Sequence, residues 1–260
     1  MTEDRLLSSK LRQRSPAARA FTLLELLVVI GIMGLLFSIG LPAFKGLNQS
    51  NLTVSVNRQL LDDLGYARMR AITERSDVYV VFVPTNIWTA FNTITDPNTR
   101  KRLTNLVTAQ YSGYAILGTR TLGDQPGHAT PHYLTEWRTL PEGYVFTPSK
   151  FRLPTGPGQN DPYNRSYAQR PFPFPDKQAP TPWPALPCIG FNALGQLISQ
   201  RDETVAISKG NIMFPKDNNN RYIAGTPEVQ LIPPRPDNVQ YVRISWLTGR
   251  ANAELPQFEK

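Results

Sequence analysis

A single cysteine, Cys188, stands in 260 residues, so no intrachain disulfide can form, and an extracytoplasmic fold here must rest on packing alone. Zinc sites built on several cysteines are excluded as well. Only two histidines occur, and charged residues make up 18 % of the chain. No Gly-x-Ser-x-Gly elbow, phosphate-binding loop or dinucleotide fingerprint is present, so the common catalytic motifs are missing and an enzyme is not expected. A mean hydropathy of −0.32 excludes several membrane spans and leaves room for one. What the chain does have is core material, with 40 % hydrophobic residues, 12 Phe, 10 Tyr and 4 Trp. It also has 24 prolines and a net charge of +8.

The strongest pattern is at the N-terminus. Residues 1–20 carry Arg5, Lys10, Arg12, Arg14 and Arg19 against Glu3 and Asp4. Residues 21–41 are then apolar apart from Thr22, Glu25 and Ser38. As a helix, such a run is about 32 Å long at ~1.5 Å per residue, enough to span a bilayer. The basic residues before it orient the leader to the cytoplasm and everything after Pro42 outward. A cleaved secretory signal peptide fits less well, because the run is too long for an h-region and no small-x-small site follows it. A plain signal anchor explains the length and the charges but not Glu25. A carboxylate inside an apolar span costs several kcal/mol and needs a partner. Removal of the leader just before Phe21 would create one, a positively charged amine on a neighbouring subunit.

The segment Ala20-Phe21-Thr22-Leu23-Leu24-Glu25-Leu26-Leu27-Val28-Val29-Ile30 resembles the N-terminal cleavage and methylation motif of type IV pilins and type II secretion pseudopilins. The resemblance implies that a prepilin peptidase cuts between Ala20 and Phe21 and methylates the new amine of Phe21. It also implies that Glu25 guides docking into a filament through a neighbour's Phe21 amine. Where the family usually has glycine before the cut, this chain has Ala20. Pro42 stands where such chains often carry a helix-bending proline, and it is expected to kink or break the helix locally. Gly31, Gly34 and Gly40 fit close helix contacts in lipid or local melting of the helix as filaments assemble, or ordinary membrane-helix composition.

Beyond Pro42 the pattern becomes amphipathic: Leu52, Val56, Leu60, Leu64, Ala67 and Ala71 form one stripe. Asn57, Arg58, Asp62, Asp63, Arg68, Arg70 and Arg75 occupy the other sides. The expected organisation is a leader at 1–20, a transmembrane half-helix at 21–44, an amphipathic half at 45–75 and a β-rich head at 76–260. One helix from about Phe21 to Arg75 is expected, followed only by strands, at 78–83, 113–117, 144–147, 189–192, 196–199, 204–208, 229–232 and 239–247. This predicts an α+β fold of pilin-like form, a long helix packed on an antiparallel sheet. The order is similar to the H-type minor pseudopilins and related minor pilins. The helix end at 60–71, the Phe191 to Gly195 hairpin and the Leu247-Thr248-Gly249-Arg250 closing turn carry that similarity.

Residues 154–187 hold ten prolines, which predicts an extended or polyproline-like insertion rather than sheet interior. Phe172, Phe174 and Trp183 are expected to pack it back onto the head. His128 and His132 are four apart, but Pro131 opposes the helix that would align them and no third ligand is near. The 217–220 loop lacks the carboxylates and glycine of a calcium loop and reads as a solvated turn. Cys188 reads as a buried thiol. Arg100-Lys101-Arg102 is the only tight basic cluster of the head and reads as a solvated loop.

The expectation is a minor pilin or pseudopilin subunit of a type II secretion or type IV pilus-like filament, with no cofactor and no metal. Its expected partners are the prepilin peptidase, other pilins and the inner-membrane assembly platform, with the head in the periplasm. The competing readings are a DNA-capturing minor pilin and an unprocessed, signal-anchored periplasmic protein, which could also be an enzyme.

Overall fold

A computed structural model describes residues 22–88, 94, 96–120, 124, 130–152, 159–179, 182–232 and 239–254, with the side chains of 39–52, 182 and 184 left out. The chain divides into two units, residues 1–51 and 52–260. Helix α1 runs Leu23–Glu74, within two residues of the expected bounds. It is not broken at Pro42. The fold is α+β, as expected, with the long helix first and antiparallel sheets after it.

The head contains two sheets. One has the order β3-β2-β1-β7-β6, with β4 also on β2. Its strands are β1 Val78–Phe82, β2 Gly113–Gly118, β3 His132–Tyr133, β4 Arg138–Thr139, β6 Ala168–Pro173 and β7 Pro182–Phe191. The other has the order β11-β10-β8-β5, with β9 also on β8. It comprises β5 Tyr144–Phe146, β8 Glu203–Met213, β9 Glu228–Leu231, β10 Gln240–Ile244 and β11 Ala251–Glu254. All described pairings are antiparallel.

Val56, Leu60, Leu64, Ala67 and Ala71 of α1 are buried, and the expected first stripe member, Leu52, lies outside the described side chains. They share one core with Val80 and Phe82, Tyr114 and Ile116, Phe146, Ile207, Val242 and Ile244. The stretch of the helix from Val56 to Ala71 is thus covered by both sheets. Side chains alternate across a strand, so Val78, Val80 and Phe82 face this core while Tyr79 and Val81 face a second one. That two-sided burial is why residues 78–83 read as an unbroken apolar run.

The second core brings three corrections. A second helix, α2, spans Pro97–Val107 where none was expected. Asp96 caps it, its carboxylate accepting from the Thr99 amide at 2.8 Å, and Pro97 opens the first turn. The Arg100-Lys101-Arg102 cluster therefore lies on a helix, not in a loop. Leu103, Leu106 and Val107 of α2 enter the core.

The proline-rich segment is the second correction, because β6 and β7 pair within it. The prolines are tolerated because β1 reaches β7 only at Cys188 to Phe191, so Pro182, Pro184 and Pro187 have a strand neighbour on one side only. Phe172, Phe174 and Trp183 are buried as expected. The third is 196–199, which forms turns and one bridge, Phe191 to Leu197, instead of a strand. In addition, the expected 239–247 strand ends at Ile244 and β11 follows.

Candidate assembly site

The segment Leu23 to Ser38 exposes apolar side chains on every face. Leu23 is 83 % exposed, Leu27 61 %, Met33 54 % and Phe37 63 %. Adding a Cβ at Gly31 or Gly34 would meet nothing within 4 Å. A helix that is apolar all round is one whose covering comes from lipid or from other helices. Among the described residues no helix is long and apolar enough to cross a membrane. Phe21 and the side chains at 39–41, which complete the apolar run, fall outside the described set.

Glu25 is exposed on the first turn. Its amide donates to Thr22 Oγ1 at 3.2 Å, and the Leu26 amide donates to the Thr22 carbonyl at 3.2 Å. Thr22 is thus the helix N-cap, a role legible in the Thr-x-x-Glu spacing but not assigned from the sequence. Among the described residues the Glu25 carboxylate makes no ion pair. A negative charge there complements the helix dipole, and its oxygens remain available to a cation from elsewhere. Ala20 and Phe21 lie outside the described residues, as does the side chain of Pro42.

The three head segments that carried the minor-pilin similarity converge at one place. The Asn192 side-chain oxygen accepts from the Leu194 and Gln196 amides at 2.9 and 3.0 Å, and Gly195 takes φ +75°. Ile72 of α1 packs against Gly195, and the Arg68 Nε donates to the Thr248 carbonyl at 2.7 Å. Gly249, at φ +63°, lies so close to the Gly195 carbonyl that a Cβ would sit 1.9 Å from its oxygen. Arg68 was placed on the polar side of the helix by spacing alone, and here it ties the helix to the last turn. Asp63, also assigned to that polar side, is instead buried, paired with Arg138 and accepting from the Tyr114 hydroxyl at 2.6 Å.

The remaining sequence candidates separate. His132 sits in β3 opposite Gly118 and His128 is outside the described residues. Among the described residues no cluster of His, Cys, Asp or Glu forms a metal site. The 217–220 segment is a turn closed on Asp217, whose carboxylate accepts from the Asn219 and Arg221 amides at 2.8 Å each. Cys188 is buried, and burial pushes its thiol up to about 12, away from thiolate chemistry. Arg102 is engaged by Asp176 at 2.8 Å. Sequence reasoning missed Lys150, which is fully buried and donates to the Pro162 and Arg165 carbonyls at 2.6 and 3.0 Å. Burial lowers it to about 8.

Residues 16–41 match the family described as Prokaryotic N-terminal methylation motif. The chain therefore carries the N-terminal motif of type IV pilin-like proteins, across the Ala20–Phe21 junction and Glu25. It is also similar to the crystal structure of the type IV minor pilin FimU of Pseudomonas aeruginosa, at 15 % identity over 80 % of this chain and 92 % of that one, with a TM-score of 0.34. A likeness that loose says nothing of partners or activity. No curated protein matches the chain.

Proposed function

We propose that this chain is a minor pilin or pseudopilin, a structural subunit and not an enzyme, of a type II secretion or type IV pilus-like filament. A prepilin peptidase cleaves it between Ala20 and Phe21 and methylates the new Phe21 amine. The 21–41 run holds it in the inner membrane until assembly, with the head in the periplasm. In the filament, Glu25 neutralises the Phe21 amine of a neighbour. The assembly platform and other pilins are its partners.

One observation carries the reading: the methylation motif at 16–41 overlaps a helical segment, 23–38, whose apolar side chains are exposed and whose one carboxylate, Glu25, makes no ion pair among the described residues. The similarity to H-type minor pseudopilins rests on the sequence segments at 60–71, 191–195 and 247–250, which the Arg68, Gly195 and Gly249 contacts bring together, and is part of the proposal.

Intact mass and N-terminal sequencing of the full chain, made with and without a prepilin peptidase, test it. A peptidase-dependent product beginning at N-methylated Phe21 is expected. A chain that keeps its leader in both strains would overturn the reading and favour a signal-anchored protein.

A further inference from the structure

The head unit carries two clefts of opposite charge that share no residue. One, of about 630 Å³, opens between α1 and the 134–138 segment. Its charged groups are Asp62, Asp63, Glu136 and Arg138, three carboxylates against one guanidinium. Arg138 is taken by Asp63. Asp62 and Glu136 are exposed and make no ion pair among the described residues. Leu134 and Trp137 supply an apolar wall.

The other cleft, of about 360 Å³, has Arg165, Arg201 and Arg243 against Asp202. Arg165 is held by Glu203 at 3.3 Å, and Arg243 by Asp202 at 2.7 Å and Glu254 at 3.5 Å. Arg201 is exposed and, among the described residues, its guanidinium reaches the neutral side-chain oxygen of Asn160 at 3.4 Å and no carboxylate. Asp202 also accepts from the Trp246 amide at 2.9 Å, which fixes the Arg201 turn beside a tryptophan that is 39 % exposed. Leu247, next along, is 56 % exposed.

These surfaces lie on opposite flanks of the helix. Gln59 and Asp63 face β2 and β4 through Tyr114, Arg138 and Thr139. Asn57 and Arg68 face β10 and its turn through Gln240 and Thr248. Asp63 and Arg68, five residues apart, are turned about 140° from each other at ~100° per residue. Within one molecule Arg201 of the one cleft and Asp62 and Glu136 of the other are thus turned away from each other, and a contact between copies leaves one of each surface open for the next. That is a heterologous, head-to-tail interface, the kind that propagates.

We propose that the head docks onto a second copy of this chain, with Arg201 and Trp246 of one copy seated against Asp62 and Glu136 of the next. The proposal rests on the reading of the chain as an assembling subunit, and it adds which faces of the heads meet. The full chain in membranes, carrying Thr139→Cys and Leu247→Cys, is treated with a short bis-maleimide. A ladder of dimers and higher species is expected. Arg201→Glu should cut the dimer yield at least about tenfold by setting like charges together, and adding Glu136→Arg to that variant should restore it. A separate Leu27→Cys chain reports the apolar helix. Helix dimers without head dimers would overturn the head contact and leave the assembly reading standing. Loss of both would overturn both. Head dimers indifferent to Arg201→Glu, or not rescued by the reversed pair, would also overturn it, a second copy then giving way to another partner.

Discussion

Residues 22–38 and the head are built from the same apolar vocabulary and use it in opposite ways. In the first, Leu, Val and Ile occur on every side of a helix and stay exposed. In the second, they alternate along strands and both faces are covered, Val80 and Phe82 by the helix core, Tyr79 and Val81 by α2 and the β6–β7 hairpin. Apolar surface that a chain covers itself stabilises its own fold, whereas surface left bare in quantity is meant for something outside it. The head is therefore a self-sufficient body, and the N-terminal segment an unfinished one.

Substitutions that separate the two regions sharpen this contrast, and they can be ranked by their effect on head stability, measured by denaturant unfolding of the full chain in micelles. Phe82→Ala comes first. Its ring stacks on Tyr167 at 4.4 Å and meets Phe146 edge-on at 5.1 Å, and its loss should cost about 3–5 kcal/mol while leaving peptidase cleavage at Phe21 intact. Gly249→Ala follows at about 2–3 kcal/mol, from the left-handed backbone and the closed approach to Gly195.

Lys150 comes next through pH. Its folded value of about 8 lies below the ~10.4 of an unfolded chain. Between those values the unfolded chain binds the extra proton, so stability rises with pH, by about 2 kcal/mol from pH 8 to 10. Lys150→Met should flatten that rise, and a slope that survives the substitution would assign it elsewhere. Arg102→Ala, which removes a part-exposed pair with Asp176, should cost no more than about 1 kcal/mol. Glu25→Ala closes the series, with head stability unchanged within about 0.5 kcal/mol and crosslinking of a Leu27→Cys helix reporter lost. Equal losses of stability and assembly in that variant would erase the distinction between the two regions.

The N-terminal pattern and the core stripe of the helix were legible because each is local: a run, a spacing, a motif of adjacent residues. The strands at 78–83 and 113–117 were legible for the same reason. What escaped reading depends on partners far away in the chain. The α2 helix has polar Asn98 to Arg102 as its first turns and only Leu103, Leu106 and Val107 to mark a face, a weak periodicity, although Asp96-Pro97 was a readable start signal. The β6–β7 pairing was hidden because proline argues against strand wherever the neighbour is unknown, and only the register shows that β1 stops at Cys188. Asp63 and Arg68 both read as polar residues outside the apolar stripe of the helix. One is buried by Arg138 and Tyr114 and the other bridges to Thr248, contacts spanning 51 to 180 positions of sequence. Of the assembly site, Glu25 was readable as an anomaly and Thr22 as a spacing.

The prolines of β7 bear on how such subunits can be crowded together. Where β1 ends, the flank of residues 182–187 is a sheet margin; amides alternate between the two sides of a strand, and with Pro182 and Pro184 on one parity and Pro187 on the other, the outward row lacks at least one donor whichever parity it is. A stray strand arriving there finds an incomplete row of donors and cannot zip on. Heads crowded at high local density can thereby remain separate molecules, open to reversible side-chain contacts of the kind proposed above and closed to backbone pairing that would fuse them irreversibly.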